Sequence, residues 1–183
     1  MEYSTQGQTA GGRYAQLQSA RSTFDREAKE SSKLTIPSLI PESTTGTRAK
    51  IKTPFQAVGA RGVNSLASKL LFALLPPSTS FFKLSIDSLE LLKQGQEGLE
   101  TEIDKGLRTI ETALMNEIEI SNDRVAMFEA LKHLIVGGNV LLYLTDDGLK
   151  VYPLSKFVCK RDAVGNVLEI ITQESVSPKA LPS

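Results

Sequence analysis

The sequence lacks most of what a catalytic or metal-binding protein needs. It has one cysteine, Cys159, and one histidine, His133. A disulfide within the chain is therefore excluded, and so is any Cys/His zinc site, which needs several such ligands. A lone thiol is compatible with a reducing cytoplasm. There is no tryptophan and aromatic residues make up only 6%, so aliphatic side chains must carry most of the burial. Long hydrophobic runs are missing too. The most apolar stretch, LIVGGNVLLYL at 134–144, is interrupted by Gly137, Gly138 and Asn139, and is far shorter than the about 20 residues a membrane helix needs. The first residues, MEYSTQGQTAGG, contain no apolar core of a secretory signal. A soluble protein with no membrane partner is expected.

Net charge is also absent, with 21 basic and 21 acidic residues, but the charge is unevenly spread. Residues 1–75 carry ten Lys and Arg against five Asp and Glu, whereas residues 76–183 carry eleven against sixteen. This is a mild polarity rather than the strong basic footprint of a nucleic-acid binder. What remains is ordinary globular usage, 40% hydrophobic and 23% charged over 183 residues, enough for one domain with its own core.

Residues 1–12 are polar and glycine-rich and read as a disordered arm. A helix is expected over 13–33, with a thin apolar stripe of Tyr14, Leu17, Phe24 and Ala28 that Arg21 interrupts. Pro37, Pro41 and Gly46 mark a loop across 35–52. Thr53-Pro54-Phe55-Gln56 reads as a capping box that opens a second helix. Val58, Val63, Leu66, Leu70 and Leu74 follow at helical spacing, and Pro76-Pro77 end it. The small residues Gly59, Ala60, Gly62, Ala67 and Ala73 suit close backbone packing. Residues 80–87 (SFFKLSID) alternate as a strand does. A third helix is expected over 99–120, its apolar stripe running from Leu99 through Ile103, Leu107, Ile110 and Leu114 to Ile118, with Asp104 able to pair with Arg108.

Ser121-Asn122-Asp123 stops that helix and starts a fourth, whose apolar face is Val125, Phe128, Leu131 and Ile135. Gly137-Gly138-Asn139 ends it. VLLYL (140–144) reads as a buried strand, turned by Asp146-Asp147-Gly148 into residues 149–154. Residues 156–162 and 167–174 flank Ala163-Val164-Gly165-Asn166 as a hairpin. Helices followed by a small antiparallel sheet make the fold class α+β. No internal repeat is present.

Few of these residues suggest chemistry. Gly59–Gly62 lacks the Lys-Ser/Thr of a phosphate loop, and its glycines fall inside a helix rather than after a strand. His133 could serve at most one triad, and the candidate nucleophiles Ser65, Ser68 and Cys159 have no motif around them. Cys159 has Lys160 and Arg161 as neighbours, which can activate a thiolate, but a small strand residue is the simpler reading. Asp146-Asp147 with Glu129 or Asp162 could be imagined around Mg²⁺ or Ca²⁺, yet Asp-Asp-Gly is more simply a turn. No catalytic, cofactor or metal residues are assigned. A basic group, Arg48, Lys50, Lys52, Arg61 and Lys69, lacks interleaved aromatics for base stacking. It reads better as a subunit contact that meets the acidic part of a neighbouring copy. The alternatives are a small nucleic-acid-binding domain that uses the basic first 75 residues and a small hydrolase with His133 as base.

Four segments carry a resemblance. TPFQAVGARGVNSLASKLLFALLPP at 53–77 resembles the TP-(F/W)-QAVGARG-(L/V)-N-x-LASKL-x-x-AL-(F/L)-P pattern of podovirus portal proteins, the head-to-tail connectors, in particular of the autographivirus branch. TIPSL at 35–39, FEALKHLIVGGNVLLYL at 128–144 and KRDAVGNVLEIITQE at 160–174 resemble further family segments in the same order. The resemblance covers nearly all of the chain after about residue 13 and implies a non-enzymatic structural subunit without cofactors. Such subunits form a ring, usually a dodecamer, at the unique portal vertex of the phage head. The ring is assembled in the host cytoplasm and is a conduit for packaging and ejecting double-stranded DNA. Implied partners are other copies of the chain, major capsid and scaffold proteins, a tail adaptor, the terminase motor and internal core proteins. The resemblance also implies that residues 13–183 are the first part of the wing, with stem, clip and crown absent. On that expectation the piece alone is poorly soluble or weakly folded.

Overall fold

A computed structural model of the chain describes residues 9–41, 53–77, 79–86, 100–146 and 148–177. Helix α1 spans Ala10–Ala20 and α2 spans Ser22–Leu34. Helix α3 spans Val58–Leu74, α4 Glu100–Ile120 and α5 Asp123–Gly137. Four strands follow, β1 Leu141–Thr145, β2 Gly148–Tyr152, β3 Phe157–Arg161 and β4 Val167–Thr172. The class is α+β. The strands form two separate antiparallel hairpins, β1–β2 and β3–β4, rather than one sheet. A 3-10 turn at Leu154–Lys156 joins them.

The first helix begins at Ala10, ahead of the expected Arg13, because the Thr9 hydroxyl accepts a bond from the Gly12 amide at 3.2 Å and so satisfies an amide that the helix start leaves open. The expected single helix over 13–33 is two, divided at Arg21 (φ −95°, ψ 5°). The turn after α2 is held by one buried hydroxyl. Ser32 Oγ donates to the Ile36 carbonyl at 2.8 Å and accepts from the Ile40 amide at 3.1 Å. This drives Ile40 into the core, against Gly137 of α5.

The capping box at Thr53 does not form. The helix starts five residues later at Val58, with Ala57 ahead of it and no side-chain cap. Its first turn is closed by backbone alone, Arg61 N to Ala57 O at 2.9 Å. The reason for close packing is visible at Gly59, where a methyl group would sit 2.6 Å from the Leu34 carbonyl. Gly62 has open space instead. The buried line of α3 is Val63 and Ala67, with Leu70 and Leu71 half-buried, whereas Val58, Leu66 and Leu74 of the expected stripe are exposed.

Residues 80–86 form no strand. The segment has no strand to pair with among the described residues. Its backbone is instead fastened to α4, where the Leu84 amide donates to Glu111 Oε1 at 2.5 Å. Helix α4 matches its expected bounds. Ile103, Leu107 and Ile118 are half-buried, Ile110 and Leu114 are exposed, and Leu99 lies outside the described residues. Asp104 and Arg108 do not pair among the described ion pairs.

The centre of the fold is α5, which packs against α2, α3, α4 and β2. It is buried on several sides, at Ala130, Leu131, His133 and Val136, while Val125 of the expected single face is exposed. Its end is as expected. Gly138 takes a left-handed conformation (φ 68°) and its amide bonds the Leu134 carbonyl at 2.9 Å. Asp123 Oδ1 at the start of α5 accepts from the Leu149 amide at 2.8 Å and so fastens β2 to the helix.

Strand β1 corrects the VLLYL expectation. It is a strand but not buried, and Leu142, Tyr143 and Leu144 are all exposed. A continuous apolar run marks a strand covered on both faces, and the described residues cover only part of this one. The second hairpin is as expected. Asp162 organises its turn, accepting from the amides of Val164 and Asn166 and from the Asn166 side chain. Those bonds hold its carboxyl below the usual range.

Candidate subunit-contact surface

The described residues do not assemble a catalytic or metal centre. No group of three His, Cys, Asp or Glu among them could hold a metal ion. Asp146 is exposed, Asp162 is engaged in its own turn, and Asp147 lies outside the described residues. Ser68 Oγ donates to the Asn64 carbonyl at 2.8 Å, within its own helix. Cys159 is a free, half-buried thiol on β3, facing away from the buried Val158. Two depressions on the described surface are open. One lies along α1 and α2 beside Ser22 and Lys29, and another lies next to Cys159 and Phe24.

His133 is buried inside α5, with Glu129 Oε1 3.8 Å from Nε2 and, among the described residues, no hydrogen-bond partner for Nδ1. Burial pushes its pKa below the ordinary 6.5, assisted by Lys132 and partly opposed by Glu129. The unfolded chain therefore takes up the proton first. Stability is fully present above about pH 6.5 and falls as the pH drops through 6.5 toward the lower folded-state value. The melting temperature is expected to fall between pH 7.5 and 5.5, a window above the carboxylates' own titration, and to fall less in His133→Gln. Equal slopes for the two proteins would contradict this.

Two of the ten cations of the first 75 residues, Arg13 and Arg21, are engaged inside the fold. Arg13 reaches from α1 to both carboxylate oxygens of Glu169 on β4, at 2.9 to 3.2 Å. Those bonds hold Glu169 below the usual carboxylate range. Arg21, read from sequence as an interruption, is an inward anchor. It donates to the carbonyls of Phe157 at 3.0 Å and Leu154 at 2.9 Å and pairs with Asp25 at 2.8 Å. Tyr14 adds a bond to the Ser155 carbonyl at 3.2 Å. These contacts clasp the first two helices onto the last hairpin. Sequence periodicity cannot reveal them, because the acceptors lie more than 130 residues away.

Of the five expected contact residues, Arg48, Lys50 and Lys52 lie outside the described residues. Arg61 and Lys69 are exposed on α3. They share an outward stripe with Val58, Ser65 and Phe72 at spacings of three, four, four and three. Val58 is 70% and Phe72 62% exposed, and these two apolar members escaped the sequence reading. The exposed Leu142, Tyr143 and Leu144 of β1, with Val167, Leu168 and Ile170 of β4, add further apolar surface.

Residues 7–182 match the sequence model of the family described as bacteriophage head to tail connecting protein. The portal protein of Escherichia phage T7 is 42% identical over 177 residues, covering 92% of this chain and 33% of that protein. The portal protein of Enterobacteria phage T3 is 43% identical over 176 residues, again 92% of this chain and 32% of the relative. That of Enterobacteria phage SP6 is 32% identical over 181 residues. The chain thus spans about a third of the length of these relatives. No described helix is long and apolar enough to cross a membrane. A match that runs through all five described helices and both hairpins assigns the whole described fold to one lineage: the chain belongs to the bacteriophage head to tail connecting protein family.

Proposed function

We propose that this chain is a structural part of a phage portal ring, contributing to the head–tail joint and to the conduit for double-stranded DNA. It acts by shape and self-association and catalyses nothing. The observation that carries the reading is the match to portal proteins along 92% of the chain. On this reading residues 13–183 are the first part of the wing, with the family's stem, clip and crown outside this sequence. The ring, a dodecamer by the family's habit, sits at the portal vertex of the virion after assembly in the host cytoplasm. Its partners are capsid and scaffold proteins, a tail adaptor, the terminase motor, internal core proteins and the genome. Arg48, Lys50, Lys52, Arg61 and Lys69 are proposed to meet neighbouring copies. The internal use of Arg13 and Arg21 favours this over a nucleic-acid-binding domain, since it removes two cations from the basic half.

Negative-stain microscopy and mass photometry of the purified chain test the reading. Association into species of many copies, with low solubility of the isolated piece, is expected. A monodisperse, cooperatively folding monomer at all concentrations would refute it.

A further inference from the structure

Helix α3 carries Arg61 and Lys69 and no acid, whereas α4 carries six acids against two bases. The outward stripe of α3 sets Lys69 one turn from the exposed Phe72, with Arg61 further along the same face. On α4, Glu102, Gly106, Ile110, Ala113 and Glu117 follow at spacings of four, four, three and four, and all five are exposed. The α3 stripe thus carries two cations flanking Ser65 between apolar ends, and the α4 stripe carries an acid at each end of a small and apolar middle. Neither Arg61, Lys69, Glu102 nor Glu117 forms an ion pair among those described. Residues spaced in this way meet a facing helix along one seam.

We infer that the α3 stripe of one copy docks on the α4 stripe of the next. This names the acidic partner of the basic contact residues and rests on the portal-ring reading. Opposite net charge fixes which helix faces which and disfavours α3 on α3 or α4 on α4, where like charges would oppose each other. The two stripes are different patches of one chain, so the contact is head-to-tail. Such a contact closes into a ring when its rotation permits. The exposed Phe72 and Ile110 supply the apolar area, and the opposite signs of the charges set the pairing.

Charge exchange tests the contact. Variant one carries Arg61→Glu and Lys69→Glu; variant two carries Glu102→Lys and Glu117→Lys. All four positions are exposed, so both variants are expected to melt as the wild type does. Alone, each places like charges across the seam and is expected to associate at least roughly tenfold more weakly by sedimentation velocity. Mixed in equal amounts they restore both attractive pairings, and alternating assemblies are expected. Wild-type association should also weaken as salt rises. If either variant assembles as well as the wild type, or the mixture does not recover, the α3–α4 contact is overturned while the ring reading stands. If the wild type itself stays monomeric, both fall.

Discussion

Arg21→Met is expected to destabilise the chain by about 3 kcal/mol, a fall in melting temperature of roughly 6–12 °C for a chain of this size. The Arg21 and Asp25 side chains are only 15% and 19% exposed. Removing the guanidinium leaves a largely buried carboxylate without its cation and two carbonyls, at Leu154 and Phe157, without their donor. The guanidinium also lies 5.8 Å from the Phe157 ring centre, a further attraction that the thioether replaces only in part. The loss should exceed that of a surface ion pair, which is worth at most about 1 kcal/mol. The double variant Arg21→Met with Asp25→Leu should recover part of it, because no unpaired carboxylate remains. A single variant within about 0.5 kcal/mol of the wild type would show that α1 and α2 are not clasped to the last hairpin through this residue.

Leu154→Ala should cost a similar amount, about 3 kcal/mol. Leu154 is 2% exposed and sits in the turn between the hairpins, in one core cluster with Ala28, Ile40, Tyr152 and Phe157. Two segments far apart in sequence, 28–40 and 152–157, meet there, so collapse around a cavity is restricted. Leu144→Ala is the matched comparison. Leu144 belongs to the apolar run VLLYL but is 73% exposed, and its truncation should leave the monomer within about 0.5 kcal/mol of the wild type. Chemical denaturation of both variants checks the pair. Equal losses would mean that β1 is buried within the subunit after all.

That contrast shows which parts of the fold can be read in the sequence. The bounds of α4, the Gly138 stop of α5 and the Asp162-to-Asn166 turn are legible because their causes are local: a helical period, a left-handed glycine, and a carboxylate facing its own backbone. The exposure of β1 is not legible. An apolar run has the same composition whether its own subunit or another molecule covers it. Arg21 reads as a flaw in an apolar stripe because its acceptors are supplied from the far end of the chain. Residues 80–86 alternate like a strand but lack a partner, and the Glu111 carboxylate takes the Leu84 amide instead. The box at Thr53 fails for a related reason. Gly59 must pass against the Leu34 carbonyl, and that close approach, not the hydroxyl, accompanies the observed start of α3. For the proposed contact surface, the sequence names Arg61 and Lys69, which the fold leaves exposed; Val58, read from periodicity as part of an inward stripe, is exposed as well, and so is Phe72.

The most direct test of the account is a symmetry-free cryo-electron microscopy reconstruction of the intact phage particle that carries this chain. The account predicts density for α3, α4, α5 and the two hairpins repeated around a ring at a single vertex, the one that bears the tail. Finding this fold at every vertex, throughout the shell, or nowhere in the particle would contradict it.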